Sequence, residues 1–183
     1  MQSEIESLKR LKSRKHKVSC HYLINKKGKI TQLVKDKNIA WHAGKSKWRE
    51  FNNLNSHSLG IELENKGHQH GYSNFSDKQI ASLIFLCTKL KKKYSIKKEN
   101  FLGHSDIAPL RKIDPGEKFP WKKLSSFNLG SWYKKKYDLK VDQKQMRILF
   151  YKNLQKLGYR YFKVYKRNPK DKKIVKSFQQ HFL

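Results

Sequence analysis

The sequence predicts an α/β fold, in which a mixed β-sheet is flanked by helices and followed by a small helical module. Residues 18–24 are rich in β-forming side chains, residues 25–28 (NKKG) are typical of a hairpin turn, and residues 29–34 supply a return strand. Residues 59–64 (LGIELE) alternate in polarity and predict a further strand. Residues 76–94 have the spacing of an amphipathic helix.

The helices are predicted from apolar residues at helical spacing and from capping signals. Ser76 and Gln79 match a capping box before the helix that ends near Tyr94, and the sequence FPW at residues 119–121 opens a short helix. Beyond about Trp132 the chain is again helical. Apolar residues at helical spacing form one stripe in a predicted N-terminal helix and one in each of two predicted C-terminal helices. These stripes are Ile5, Leu8 and Leu11; Met146, Leu149, Leu154 and Leu157; and Ile174, Val175, Phe178 and Phe182.

The chain has 183 residues and a net charge of +29, which comes from 36 lysines against 7 arginines. Such a charge attracts polyanions in general. Arginine, which contacts phosphates and bases bidentately, is scarce, and no stacking motif is present. The composition therefore does not favour a specific nucleic-acid-binding protein.

No apolar stretch approaches the roughly 20 residues of a membrane span, and the acidic start is not a secretory signal. We therefore expect no transmembrane segment and, for the chain as written, a cytoplasmic location. Cys20 and Cys87 lack the paired spacing of a zinc site, so both are expected to be reduced and buried, with a single disulfide as the alternative. The sequence leaves the oligomeric state open.

His104 and Asp114 are candidate zinc ligands, because imidazole and carboxylate are ordinary ligands of zinc and Pro109 and Pro115 restrict the loop that carries them. The alternative is a polar loop histidine and an aspartate that forms a turn before proline. Glu62 lies within an apolar strand. It is either the general base of a cleft or a solvated residue of an edge strand.

Several motifs in order resemble the type 2 N-acetylmuramoyl-L-alanine amidases, and most of all the anhydro-muropeptide amidases. They are VSCHYLI at 18–24, AWHAG at 40–44, SLGIELEN at 58–65, GHSDIAPLRKIDPG at 103–116 and FPW at 119–121. The resemblance covers about residues 18–132. It implies an amidase domain over residues 1–133 and a partial helical module over residues 134–183, which resembles a peptidoglycan-binding module.

The resemblance also implies roles for individual residues. His104 and Asp114 would bind zinc, Glu62 would act as general base, and Lys112 would stabilise the oxyanion. The implied substrate is peptidoglycan or a muropeptide, cleaved between N-acetylmuramic acid and L-alanine. Trp41 and His42 would line the substrate cleft within a long loop over residues 40–57, although Trp41 has a packing role as its alternative.

The family has a further zinc-binding histidine on a core strand before the first helix of this sequence. The chain is therefore expected to lack that strand and to be truncated at both ends, with His16 and His21 as weak replacements for the missing ligand. An upstream signal or lipid anchor would place the protein in the periplasm or at the outer membrane. The alternative function is an impaired amidase-fold remnant that binds cell-wall fragments.

Overall fold

A computed structural model describes residues 4–133 and 142–183. Within them a small mixed sheet is covered by helices, which confirms the predicted α/β class. The first eight residues of the predicted helical module lie outside the described residues. The division of the chain between residues 133 and 134 stays a prediction.

The sheet has three strands, with β1 in the centre. β1 (Tyr22–Ile24) pairs antiparallel with β2 (Ile30–Gln32) and parallel with β5 (Ile61–Leu63), so the sheet is mixed, as predicted. The strands are shorter than the sequence suggested. The turn between β1 and β2 is closed by Asn25, whose Oδ1 accepts hydrogen bonds from the backbone N–H groups of Lys27 and Lys29.

The segment over residues 40–57 is more ordered than the predicted loop. β3 (Lys47–Trp48) and β4 (Phe51–Asn52) form a two-stranded hairpin, and a 3-10 turn follows at Leu54–Ser56. The loop prediction is wrong here because two-residue strands are too short to show a periodicity of two in the sequence. Trp48 is buried, so this hairpin belongs to the core.

The first two helices cover the sheet. α1 (Glu4–Lys12) buries Leu11 in a cluster with Cys20 and Leu23, whereas Ile5, predicted to share the apolar stripe, is 68% exposed. α2 (Asp77–Tyr94) begins and ends as predicted. Both cysteines are buried and free.

The capping signal of α2 is used in two ways. Ser76 Oγ accepts a hydrogen bond from the Gln79 backbone N–H, as a capping box requires. The Gln79 side chain, however, donates to the carbonyl oxygens of Ile24 and Glu64 at 2.9 and 3.2 Å. It therefore joins the ends of β1 and β5 to the start of α2.

The remaining helices are α3 (His104–Ile107), α4 (Trp121–Ser126), α5 (Gln143–Leu157) and α6 (Asp171–Phe182). α4, α5 and α6 lie in segments that the sequence predicted to be helical. α5 and α6 share an apolar cluster with the β3 hairpin and α3, in which the buried residues are Ala43, Trp48, Leu54, Ile107, Ala108, Tyr151, Leu154, Tyr159 and Ile174. The C-terminal helices therefore pack directly behind the segment that carries His104.

None of the helices in residues 4–133 and 142–183 is both long enough and apolar enough to cross a membrane.

Candidate functional site

The two candidate metal ligands lie at opposite ends of one short segment. His104 is the first residue of α3, and Asp114 lies beyond the turn that follows it. The Asp114 carbonyl oxygen accepts a hydrogen bond from the Ser105 backbone N–H at 2.8 Å, which closes the segment on itself. The His104 Nδ1 atom consequently lies 3.0 Å from Asp114 Oδ2.

The other ring nitrogen of His104 has a backbone partner. Nε2 lies 3.1 Å from the carbonyl oxygen of Ala43, and only a protonated Nε2 can donate to it. Arg111 Nη2 donates to the same carbonyl oxygen and lies 3.3 Å from His104 Nε2. The Ala43 carbonyl oxygen is therefore a shared acceptor for His104 and Arg111, and this contact holds the imidazole ring with its Nδ1 atom toward Asp114.

The electrostatic surroundings favour an ionised Asp114. Burial raises the pKa of this carboxyl, but the hydrogen bond with His104 and the charges of His104 and Lys112 outweigh burial, so the pKa lies below its ordinary value. Lys112 is held on the turn by a hydrogen bond from its backbone N–H to the Ala108 carbonyl oxygen. Asp114 is therefore an anion next to the Nδ1 atom of His104.

Glu62 lies in the middle of β5, opposite Leu23 of β1. β5 is the last strand in the order of the described sheet, and Glu62 is partly buried there, which raises the pKa of its carboxyl. The negative charge of Asp114 raises this pKa further, whereas His104 and Lys112 lower it. The structure thus brings Glu62, His104, Lys112 and Asp114 into one electrostatic neighbourhood.

His104 and Lys112 line an open cleft with a volume of about 320 Å³. The Trp41 side chain is 54% exposed, so its indole contributes to the cleft wall and not to the core. Further lining residues are Lys17, Val18, His42, Gly44, Asn55, His104, Arg111 and Lys112. The wall is cationic, because three of these side chains carry positive charge at neutral pH.

His42 is packed more tightly than its place in a loop suggested. Its Nε2 lies 3.3 Å from the Ser58 carbonyl oxygen, and the ring edge meets His21 with 5.6 Å between centroids. Burial, together with the charges of His21 and His104, lowers the pKa of His42 to about 4, although the contact with the Ser58 carbonyl oxygen opposes this shift. His42 is therefore neutral at physiological pH.

The two histidines considered as replacement ligands lie differently. His21 is buried with both ring nitrogens bonded, because Nδ1 accepts from the Gly60 backbone N–H at 3.0 Å and Nε2 lies 3.0 Å from the Asn38 carbonyl oxygen. It is therefore unavailable to a metal. His16 ends an exposed 3-10 turn.

Two residues of the site were missed from the sequence, although both lie in the segment GHSDIAPLRKIDPG. Arg111 contacts the Ala43 and Lys45 carbonyl oxygens and approaches His104. It could have been noticed as one of only 7 arginines in a lysine-rich chain, directly before Lys112. Asp106 is 1% exposed and lies two residues after His104. No local signal distinguishes it from a solvated residue of a helix start.

The donor chemistry of His104 and Asp114 fits part of a zinc site. Zinc takes imidazole nitrogen and carboxylate oxygen at about 2.0–2.2 Å, so two of its tetrahedral ligands lie about 3.4 Å apart. The 3.0 Å between His104 Nδ1 and Asp114 Oδ2 is close to that separation. Among the residues that the structure describes, no group of three or more His, Cys, Asp or Glu side chains is placed to hold one metal ion.

Comparisons with known proteins agree with this geometry. The profile of the N-acetylmuramoyl-L-alanine amidase family matches residues 2–117. N-acetylmuramoyl-L-alanine amidase AmiD of Escherichia coli is 45% identical over 127 residues, which are 63% of this chain and 46% of AmiD. The 1,6-anhydro-N-acetylmuramyl-L-alanine amidase AmpD of Haemophilus influenzae is 42% identical over 111 residues, which are 60% of this chain and 58% of AmpD. The chain thus spans about half the length of these relatives.

A solved structure extends the likeness to the C-terminal helices. The complex of AmiD from E. coli with anhydro-N-acetylmuramic acid-L-Ala-D-γ-Glu-L-Lys superposes with a TM-score of 0.85 and 33% identity, over 99% of this chain and 76% of AmiD. Because the family profile matches more than half of the sequence and the fold agrees over nearly all of it, the chain belongs to the N-acetylmuramoyl-L-alanine amidase family.

Proposed function

We propose that this protein hydrolyses the amide bond between N-acetylmuramic acid and L-alanine in peptidoglycan or muropeptides, with zinc as its cofactor. The observation that carries the proposal is that His104 and Lys112 line one open cleft and interact electrostatically with Glu62 and Asp114. The substrate class follows from family membership and from the anhydro-muropeptide in the AmiD complex.

His104 and Asp114 would hold the metal. An imidazole lone pair and a carboxylate oxygen are both acceptors, so their approach to 3.0 Å is favourable only when a proton or a cation lies between them. The contact of His104 Nε2 with the Ala43 carbonyl oxygen orients the ring for this role, as such partners do for metal-binding histidines. Bound zinc supplies a Lewis acid that polarises the scissile carbonyl and makes a bound water more acidic.

Glu62 would accept the proton of the attacking water. A general base works best when its pKa lies near the working pH, and burial together with Asp114 moves the pKa of Glu62 in that direction. The backbone of β5 is paired with β1, so the carboxylate is carried by a rigid element. The proton taken up by Glu62 would then pass to the leaving amine of L-alanine.

Lys112 would stabilise the negative charge that develops on the carbonyl oxygen. Its ammonium lines the cleft, and its backbone is anchored to Ala108. Removing one group of this kind from an enzyme commonly costs about 100- to 1,000-fold in turnover. The exposed indole of Trp41 offers a flat apolar face on which a sugar ring or peptide can stack, and His42 supports the same wall.

The experiment compares Glu62→Gln with Glu64→Gln, which lies two residues further along the chain and accepts a hydrogen bond from the Lys26 backbone N–H. Each protein is supplied with zinc and with anhydro-N-acetylmuramic acid-L-Ala-D-γ-Glu-L-Lys, and release of the free peptide is followed by chromatography. We expect Glu62→Gln to lower turnover by roughly 100-fold or more and Glu64→Gln to change it little. Absence of peptide release from the unaltered zinc-supplied protein would refute the proposal.

A further inference from the structure

Asp106 is a buried carboxylate whose hydrogen-bond partners come from two distant parts of the chain. It is 1% exposed and accepts the Gly103 backbone N–H at 2.7 Å. The hydroxyl of Tyr159 donates to its Oδ1, and His181 Nδ1 lies 2.8 Å from its Oδ2. The last two residues lie 53 and 75 positions further along the chain.

The burial of Asp106 makes its carboxylate depend on these hydrogen-bond donors. A buried carboxylate is costly unless charges or hydrogen bonds compensate it, and no lysine or arginine is among the partners described for Asp106. Loss of one donor therefore leaves a buried oxygen uncompensated. The carboxylate and the backbone that carries it would then have to move.

That backbone is the first turn of α3, which has only four residues and begins at His104. A helix of one turn does not hold itself together in water, because nucleation is unfavourable without tertiary contacts. The bond from Gly103 N–H to Asp106 spans His104 directly. The orientation of His104 therefore depends on the residues that hold the Asp106 carboxylate, which are Tyr159 and His181.

Tyr159 and His181 are themselves held firmly. The Tyr159 ring is fully buried and meets Trp48 of β3 edge to face, with 5.2 Å between centroids. The His181 ring stacks on Trp121 of α4, with centroids 3.8 Å apart and an interplanar angle of 9°. Aromatic packing therefore fixes both side chains in the positions from which they contact Asp106.

We infer that Tyr159 and His181 are positioning residues, which hold Asp106 and thereby aim His104 at the metal that the site binds. The inference rests on the proposed function for the role of His104. It assigns a part in positioning His104 to the loop after α5, which carries Tyr159, and to α6, which carries His181.

The test uses single substitutions in the full chain. Tyr159→Phe removes only the hydroxyl, and His181→Leu removes the donor to Asp106. His181→Asn retains a donor near the place of Nδ1 and should restore the contact. Tyr151→Phe is the matched control, because Tyr151 is a buried tyrosine of the same apolar cluster that does not contact Asp106 in the structure.

Three measurements are compared among the variants. Zn²⁺ affinity is measured by competition with a chromophoric chelator, kcat and KM are measured on the anhydro-muropeptide, and the amide signals of Gly103 and His104 are recorded by NMR in zinc-free protein. We expect Tyr159→Phe and His181→Leu to weaken Zn²⁺ binding about tenfold, as losses in the outer shell of a metal site do. The kcat should fall by a similar factor with KM unchanged, and both amide signals should shift. His181→Asn should recover most of each effect.

Zn²⁺ affinity and amide signals in Tyr159→Phe and His181→Leu that match those of Tyr151→Phe would overturn the inference. If His181→Leu does not fold, the comparison of Tyr159→Phe with Tyr151→Phe decides the question by the same two measurements, and His181→Asn shows whether a retained donor preserves them. If the unaltered protein neither binds Zn²⁺ nor releases peptide, the proposed function fails, but the amide signals still show whether the two residues orient His104.

Discussion

The Nδ1 atom of His104 and the Oδ2 atom of Asp114 lie 3.0 Å apart across a segment of ten residues. The ring is held from its far side by the Ala43 carbonyl oxygen, and the carboxyl is kept ionised by its surroundings. A ring nitrogen and a carboxylate oxygen, both of which can bind a metal, thus lie together, and His104 lines the cleft. The consequences of this arrangement can be measured without knowledge of the natural substrate.

Substitution of Asp114 should weaken zinc binding more than substitution of an exposed aspartate. We expect Asp114→Ala to lower Zn²⁺ affinity by at least about 100-fold, because loss of a direct ligand should exceed the 10- to 100-fold effect of outer-shell partners. Asp77→Ala is the control, since the Asp77 side chain is 99% exposed. Equal affinities by chelator competition would remove Asp114 from the metal site.

Removal of the charge on Glu62 should stabilise the zinc-free protein. Because burial and Asp114 raise its pKa in the folded state, the cost of Glu62 to folding grows as the pH rises from the ordinary value of 4.5 to the folded-state pKa, and it is complete above that pKa. Glu62→Gln should therefore raise the Tm at pH 8, and the gain should vanish as the pH falls through the ordinary value of 4.5. Thermal unfolding in the presence of chelator measures this difference. A lower Tm at pH 8 would show that ionised Glu62 is well compensated.

Gly60 should not tolerate a larger side chain, because a Cβ atom there would lie 2.2 Å from His42 Cγ. The obstacle is the base of an imidazole ring and not the end of a flexible chain. We expect Gly60→Ala to cost about 1–3 kcal/mol of unfolding free energy, in the range of overpacked sites. His42→Ala should relieve much of that cost, so chemical denaturation of the two single variants and the double variant should show strong coupling. Additive effects would mean that the clash is relieved elsewhere.

Gln79 should be far more important for stability than another glutamine at the same helix position. Gln79→Leu leaves the carbonyl oxygens of Ile24 and Glu64 without this donor, which we expect to cost about 1–3 kcal/mol. Gln145 lies three residues after Asp142, which caps α5 as Ser76 caps α2, but its side chain is exposed. Gln145→Leu should therefore change the urea midpoint little. Similar midpoints for both variants would contradict the role of Gln79.

The sequence by itself determined the elements whose signals are local. The turn at Asn25 to Gly28, the alternation around Glu62 and the cap at Ser76 each act within a few residues, so the hairpin, β5 and α2 lie where the sequence placed them. The motifs likewise sufficed to predict the family, because each motif is a pattern of residues that lie next to one another in the sequence. The hairpin of β3 and β4 was missed because two-residue strands have no readable period.

Only the tertiary structure decided how the site is built. Glu62 lies on β5, far in sequence from the segment that carries His104 and Asp114, and the pKa values of Glu62 and Asp114 depend on burial and on neighbouring charges, which no spacing reveals. The partners of Asp106 are 53 and 75 residues away, so in the sequence it looks like any acidic residue near a helix start. Contacts between residues this far apart in sequence exist only after the chain has packed, and this packing joins the C-terminal helices to His104.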